Sequence, residues 1–208
     1  MNALQSIKSN KLVAVIRNVK ESDVISIGEA LIEGGIKVFE ITADSPSFLS
    51  SIGKIKSEFG ADVTVGAGTV LDSETAKSAI NVGAEFIFSP TININTIKLT
   101  KRYGVLSIPG AMTPTEILTA YEHGADLIKV FPANIMGPKF IKDIHAPLPQ
   151  VSLIPTGGVN LNNIQEYLNN GAVAVGLGNS LVNTNVNINN NELLEINNRA
   201  KQYVKKIS

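Results

Sequence analysis

Short apolar runs rich in valine and isoleucine alternate along this chain with stretches whose apolar residues recur at helical spacing. The runs are LVAVI (12–16), KVFEI (37–41), DVTVG (62–66), EFIFS (85–89), GVLSI (104–108), DLIKVF (126–131), SLIP (152–155) and AVAVG (172–176). Their length and β-branched content predict strands. The segments between them, such as ESDVISIGEALIEG and TPTEILTAYEHG, carry the three-to-four spacing of amphipathic helices. Helix starts are legible too. Thr113, Pro114 and Glu116 give a capping-box spacing with proline at the first helical position, Asp72 is placed to cap the helix after GAGTVL, and Pro138 to open the one after NIMG.

A terminal glycine followed by a strand recurs at GGIKVFEI, VGAEFIFS, HGADLIKV and NGAVAVGL. Gly35, Gly83, Gly124 and Gly171 each suit the left-handed position that closes a helix, and each interval holds two strand–helix units. Eight apolar strands alternating with helices predict a parallel sheet covered on both sides. In about 200 residues this argues a compact (β/α)8 TIM barrel, residues 1–208 as a single domain, rather than an open doubly wound sheet. The asparagine-rich VNTNVNINNN (182–191) has too little apolar content for an element and is expected to be a loop. Beyond it, ELLEINNRAKQYVKKI predicts a C-terminal helix at about 190–206, packed outside the barrel, with lysines where a helix C-terminus favours them.

Charge adds exclusions rather than assignments. Eighteen basic residues balance eighteen acidic ones, which is no footprint for nucleic acid or a membrane surface. The absence of cysteine removes disulfides and thiolate metal sites. The apolar run before Arg17 is too short for a signal-peptide core and is read as the first strand. No stretch approaches the roughly 18 apolar residues of a membrane span, so a soluble cytoplasmic protein is expected.

Strand alternation then isolates the chemistry. Side chains of a strand face alternately to its two sides, so Leu127, Lys129 and Phe131 share one face and Ile128 and Val130 the other. A lysine inside a two-sided apolar strand loses proton affinity and becomes an amine nucleophile able to form a Schiff base. The bland alternative is a strand-end lysine whose head reaches water. The same alternation puts Val13, Val15 and Arg17 on one face of the first strand, and Val38, Glu40 and Thr42 on one face of the second. Active groups of such barrels sit at the C-terminal strand ends. Arg17, Glu40 and Lys129 therefore converge on one mouth, with Lys129 as nucleophile and Glu40 as acid–base partner. A purely structural Glu–Lys pair is the alternative.

PTGGVN (155–160) and GLGNSL (176–181) follow the seventh and eighth strands, where barrels bind phosphate through backbone N–H groups and a short helix N-terminus. Gly157, Gly158, Gly176 and Gly178 permit that approach. His123 and His145 both fall in helical segments without ligand spacing and read as surface residues, so no metal is expected. Without a histidine at a strand end a serine triad is unsupported.

At these residues the sequence resembles a known family. LVAVIR, GGIKVFEIT, VGAGTVL, GAEFIFSP, IPGAMTPTE, IKVFPA and PTGGVN fall in the order and spacing of the bacterial 2-keto-3-deoxy-6-phosphogluconate / 4-hydroxy-2-oxoglutarate aldolases, class I pyruvate aldolases, over nearly the whole chain. The resemblance implies that Lys129 is the Schiff-base lysine and Glu40 the general acid/base. It implies that Thr69, Pro90, Phe131 and Thr156 line the substrate pocket, with Gly157, Gly158, Gly176, Gly178 and Asn179 at the phosphate. It also implies a homotrimer, no metal and no cofactor. Two positions depart from common family patterns: Asp44 stands where many members carry the arginine that meets the substrate carboxylate, and Asn179 where many carry serine.

The reading is an aldolase that cleaves a 2-keto-4-hydroxy acid into pyruvate and an aldehyde, either glyceraldehyde 3-phosphate or glyoxylate. Two rivals remain, a phosphate-binding isomerase or epimerase that does not need Lys129, and a non-catalytic homologue that keeps the pocket. With Asp44 unable to hold a carboxylate, Arg17 is expected to take that role by a fork-shaped pair, and Asp44 to turn towards solvent. The alternative for Arg17 is that it neutralises Glu40.

Overall fold

The computed structural model describes residues 2–208. Its strands, in chain order, are β1 Leu12–Ile16, β2 Val38–Thr42, β3 Thr64–Gly68, β4 Phe86–Phe88, β5 Leu106–Ile108, β6 Gly110–Ala111, β7 Ile128–Val130, β8 Leu153–Pro155 and β9 Val175–Leu177. Six pair in the order β5-β4-β3-β2-β1-β9 and three in the order β6-β7-β8, all in parallel. The result is an α/β fold whose parallel sheet curls.

The strand expected at 104–108 is where observation and sequence part. It appears as two short segments, β5 and β6, separated by Pro109, which has no N–H to donate to a ladder. β5 pairs with β4, and β6 pairs with β7. The smaller sheet still meets the larger at both edges. Asp126 N, just before β7, donates to Ser107 O of β5 at 3.0 Å on one side, and Thr156 bridges Gly176 in parallel on the other. Other expected strands start or end within a few residues of the observed bounds, the last shifting furthest, from 172–176 to Val175–Leu177.

The alternation of faces produces two separate cores. Val13, Val38, Phe86, Phe88, Leu127 and Ile154 pack together on the inside of the curl. Ala14, Ile16, Phe39, Ile41, Ile128 and Val130 pack outward with the surrounding helices. Burial of these side chains is the main stabilising term, at about 25 cal/mol per Å² of apolar surface.

Helix boundaries follow the expected signals. Thr113 and Glu116 form a capping box on Pro114–Glu122, and Asp72 accepts from Thr75 N to cap Ser73–Asn81. Gly35, Gly83, Gly124 and Gly171 all take positive φ, between 93° and 103°, where a side chain would be strained. The asparagine-rich tract is a loop up to Asn189, which caps the long C-terminal helix Asn190–Ile207. One helix was not expected. Ala3–Asn10 is held by a capping box between Asn2 and Gln5, and its Ile7 is fully buried in the inner core. Ser6 accepts from Thr64 Oγ1 at 2.8 Å, which places this helix against the strand starts, at the end opposite the candidate site.

Candidate active site

Lys129 sits in the middle of β7 and is only 4% exposed. Its Nζ lies 4.7 Å from the Phe88 ring centroid and 4.8 Å from that of Phe131. Among the described residues it has no ion-pair partner. Burial holds its proton affinity below the usual lysine range; the Glu40 carboxylate opposes this, and Arg17 adds to it.

Glu40, on β2, is fully buried and neither carboxylate oxygen has a hydrogen-bond partner. Burial raises its pKa, against the pull of Lys129 first, Arg17 second and the Thr69 backbone N–H third, although that N–H falls outside strict hydrogen-bond geometry. The space it occupies is made by a glycine. A Cβ at Gly68, on the neighbouring β3, would stand 1.6 Å from Glu40 Oε1. Gly68, in the GAGT stretch, thus accommodates a carboxylate of the protein itself.

Arg17 follows β1 and reaches the same pocket. Its guanidinium pairs with Asp44, and its Nη2 donates to Thr69 Oγ1 at 3.0 Å. Asp44 is exposed, as expected, but its carboxylate is not free: it is occupied by Arg17 on one oxygen and by Thr42 Oγ1 on the other. The reason is local. A turn in which Ser45 N donates to Thr42 O brings residue 44 back over the end of β2, within reach of the β1 end. Nor does Arg17 pair with Glu40. Thr69 itself has φ +43°, a strained value for a β-branched residue. Its neighbours fix that conformation, since Gly68 O accepts from Ala43 N and Val70 N donates to Phe88 O.

A pocket of about 410 Å³ opens above Lys129. Its wall includes Arg17, Phe131 and Thr156 together with Gly157, Gly158, Gly176, Gly178 and Asn179. Thr156 Oγ1 is buried without a partner. A Cβ at Gly178 would meet open space, so packing does not demand a glycine there. The loop after β9 continues as one turn, with Leu181 N and Val182 N donating to Gly178 O, where a short helix was expected. Of the sequence-selected residues, Glu40 lies buried behind the lining, Thr69 is joined to it through Arg17, and Pro90 stands to the side, its backbone against Gly110 of β6. Asn160 and Ser180 line the pocket and were passed over. Both lie within the glycine motifs already singled out, so the signal was present in PTGGVN and GLGNSL.

The histidines are half-buried rather than superficial, each ring bonded to a backbone carbonyl, of Thr119 for His123 and of Val151 for His145. Among the described residues no group of histidine, aspartate and glutamate side chains has metal-ligand geometry. No helix there is long and apolar enough to cross a membrane.

The chain matches the family model described as KDPG and KHG aldolase over residues 4–198. It is 33% identical over 171 residues to a 2-dehydro-3-deoxy-6-phosphogalactonate aldolase of Escherichia coli, covering 82% of this chain and 83% of the relative. It is 35% identical over 159 residues to a 2-dehydro-3-deoxy-phosphogluconate aldolase of Pseudomonas aeruginosa, covering 76% and 72%. Its structure superimposes with a TM-score of 0.87 and 28% identity on a KDPG aldolase from Legionella pneumophila with pyruvate captured as a covalent carbinolamine intermediate, covering 94% of this chain and 95% of that one.

Proposed function

The chain belongs to the KDPG and KHG aldolase family, and from that premise we propose that it cleaves a 2-keto-3-deoxy sugar acid phosphate, or 4-hydroxy-2-oxoglutarate, to pyruvate and an aldehyde through a Schiff base on Lys129. The observation that carries the assignment of residues is the buried Lys129, without an ion-pair partner, at the floor of the pocket, facing a fully buried Glu40 with no hydrogen-bond partner.

Each perturbation suits its step. A lysine with lowered proton affinity is available as the free amine, and its nitrogen attacks the C2 ketone to give a carbinolamine, which loses water to an iminium. Glu40, whose burial raises its affinity for a proton, takes the proton of the C4 hydroxyl through a water molecule. The C3–C4 bond breaks, the aldehyde leaves, and the bonding pair moves into the iminium to form an enamine. Glu40 then returns its proton to C3, and water hydrolyses the iminium to pyruvate and the free amine.

Arg17 binds the substrate carboxylate beside Thr156, while Thr69, Pro90 and Phe131 border the keto acid. Gly157, Gly158, Gly176, Gly178 and Asn179 bind the phosphate of the distal end through backbone N–H groups. The fold on this reading is a single closed (β/α)8 barrel, supported by the contacts at Ser107 and Thr156 that join the two sheets. A cytoplasmic homotrimer belongs to the same reading. Exposed Leu71 and Ile94, linked through the bond from Asn93 Nδ2 to Leu71 O, offer apolar surface for a subunit contact.

Borohydride added with pyruvate, followed by peptide mass spectrometry, tests the chemistry. One reduced three-carbon adduct on the Lys129 peptide is expected. An unmodified Lys129, or label spread over exposed lysines, overturns the assignment. Relatives named for phosphogluconate and for phosphogalactonate have similar identity to this chain, so turnover is compared with both C4 epimers.

A further inference from the structure

We infer that Asp44 is a positioning residue: it holds the Arg17 guanidinium at the pocket wall in the orientation that receives the substrate carboxylate. The inference rests on the aldolase reading above and gives a role to a side chain that is not part of the pocket wall. Arg17 lines the pocket and Asp44 does not. Asp44 nevertheless takes one guanidinium nitrogen, while Thr69 Oγ1 takes the other terminal one at 3.0 Å. Two acceptors from two different loops fix a planar group in rotation as well as in position, and leave its other N–H donors free for a ligand.

The brace is itself braced. Thr42 Oγ1 donates to the second oxygen of Asp44, and the turn from Thr42 to Ser45 sets the backbone of residue 44. Ser45 Oγ accepts from Val19 N at 3.2 Å, tying the loop after β2 to the loop after β1. At its other end Arg17 is held by its carbonyl, which accepts from Thr184 Oγ1 in the asparagine-rich loop. The strained backbone at Thr69 directs its hydroxyl to the same guanidinium. The Arg17 and Asp44 side chains are 43% and 38% exposed, where an ion pair adds little to folding stability. Its effect falls instead on the freedom of the arginine before substrate arrives.

The test measures the concentration of ketone that half-saturates the borohydride-trapped adduct, with pyruvate and with acetone, which lacks the carboxylate. Releasing one long side chain before binding is expected to raise the pyruvate value about three- to tenfold in Asp44→Asn. The acetone value stays unchanged, and Asp44→Ala gives the same pattern. In an Arg17→Ala background, Asp44→Asn adds nothing further, as a contact acting through Arg17 requires. An unmoved or lowered pyruvate value, an equal rise with acetone, or an effect that persists without Arg17 overturns the inference. Absence of any adduct in the unsubstituted protein sinks the Schiff-base reading and this inference with it. An intact adduct with an unchanged pyruvate dependence sinks this inference alone.

Discussion

Gly68→Ala tests whether the burial of Glu40 serves catalysis. The added methyl would lie 1.6 Å from Oε1, 2.2 Å from Cδ and 2.5 Å from Cγ of Glu40, all below the 3.0 Å that real Cβ atoms respect. The carboxylate is fully enclosed, so it cannot swing into solvent and must be displaced along its own strand face. Overpacking of this kind costs about 1–3 kcal/mol, or roughly 2–12 °C in melting temperature for a chain of this size. The catalytic cost is larger. A displacement of about 1 Å of a reacting group is worth on the order of 10²-fold, and loss of the acid–base role altogether about 10²–10⁴-fold. Steady-state cleavage, followed through pyruvate release, should therefore show kcat down by at least about 10²-fold, while the pyruvate–borohydride adduct on Lys129 still forms. Gly66→Ala is the control. It places a methyl 2.3 Å from the Phe86 ring and should destabilise similarly with a much smaller loss of rate. A Gly68→Ala enzyme within about threefold of the parent kcat would refute the role given to Glu40, since that shift is far below the 10² expected.

Glu40→Gln keeps the shape but cannot take a proton, so kcat should fall about 10²–10⁴-fold with adduct formation retained; near-normal turnover would assign the base elsewhere. Gly158→Ala forces a side chain into φ +77° and 2.4 Å from Asn134 Cβ, and should raise KM for glyceraldehyde 3-phosphate in the synthetic direction while pyruvate binding is untouched; an unmoved KM would take the phosphate away from this loop. Urea unfolding across pH should show two opposite slopes. Glu40, with its pKa raised above 4.5, contributes stability below that value which is lost as pH rises through its folded pKa. Lys129, lowered from 10.5, contributes stability above that value which is lost as pH falls through its folded pKa. The Lys129→Met/Glu40→Gln variant should lose both slopes; unchanged slopes would mean that neither group is perturbed.

Much of the fold was legible because period-two alternation survives even in short buried strands. Val13, Val38 and Leu127 fell on one face and Ala14, Phe39 and Ile128 on the other, and the two cores separate in that way. What escaped were features that depend on single backbone groups. Pro109 lies in plain view within GVLSIPGA, yet its missing N–H matters only once the neighbouring ladder is known. The first helix escaped because its eight residues are mostly polar, and its one deeply buried apolar side chain, Ile7, gives no periodicity to detect.

The site shows the same division, and the unread part decides its electrostatics. Alternation brings Arg17, Glu40 and Lys129 to one mouth, but it cannot say which carboxylate the guanidinium meets. Asp44, 27 residues from Arg17, wins that contact because the turn at Thr42–Ser45 returns it to the end of β1. The consequence reaches Glu40. A carboxylate paired with a guanidinium keeps its proton affinity low and makes a poor base. With Arg17 engaged by Asp44 and Thr69, Glu40 keeps no ion-pair partner, and burial is the largest influence on it. Lys129, also beyond ion-pair contact, is governed by burial in the same way. The ion pair at the partly exposed rim therefore keeps the guanidinium off Glu40, and on the proposed mechanism the reactivity of Glu40 as a base depends on that.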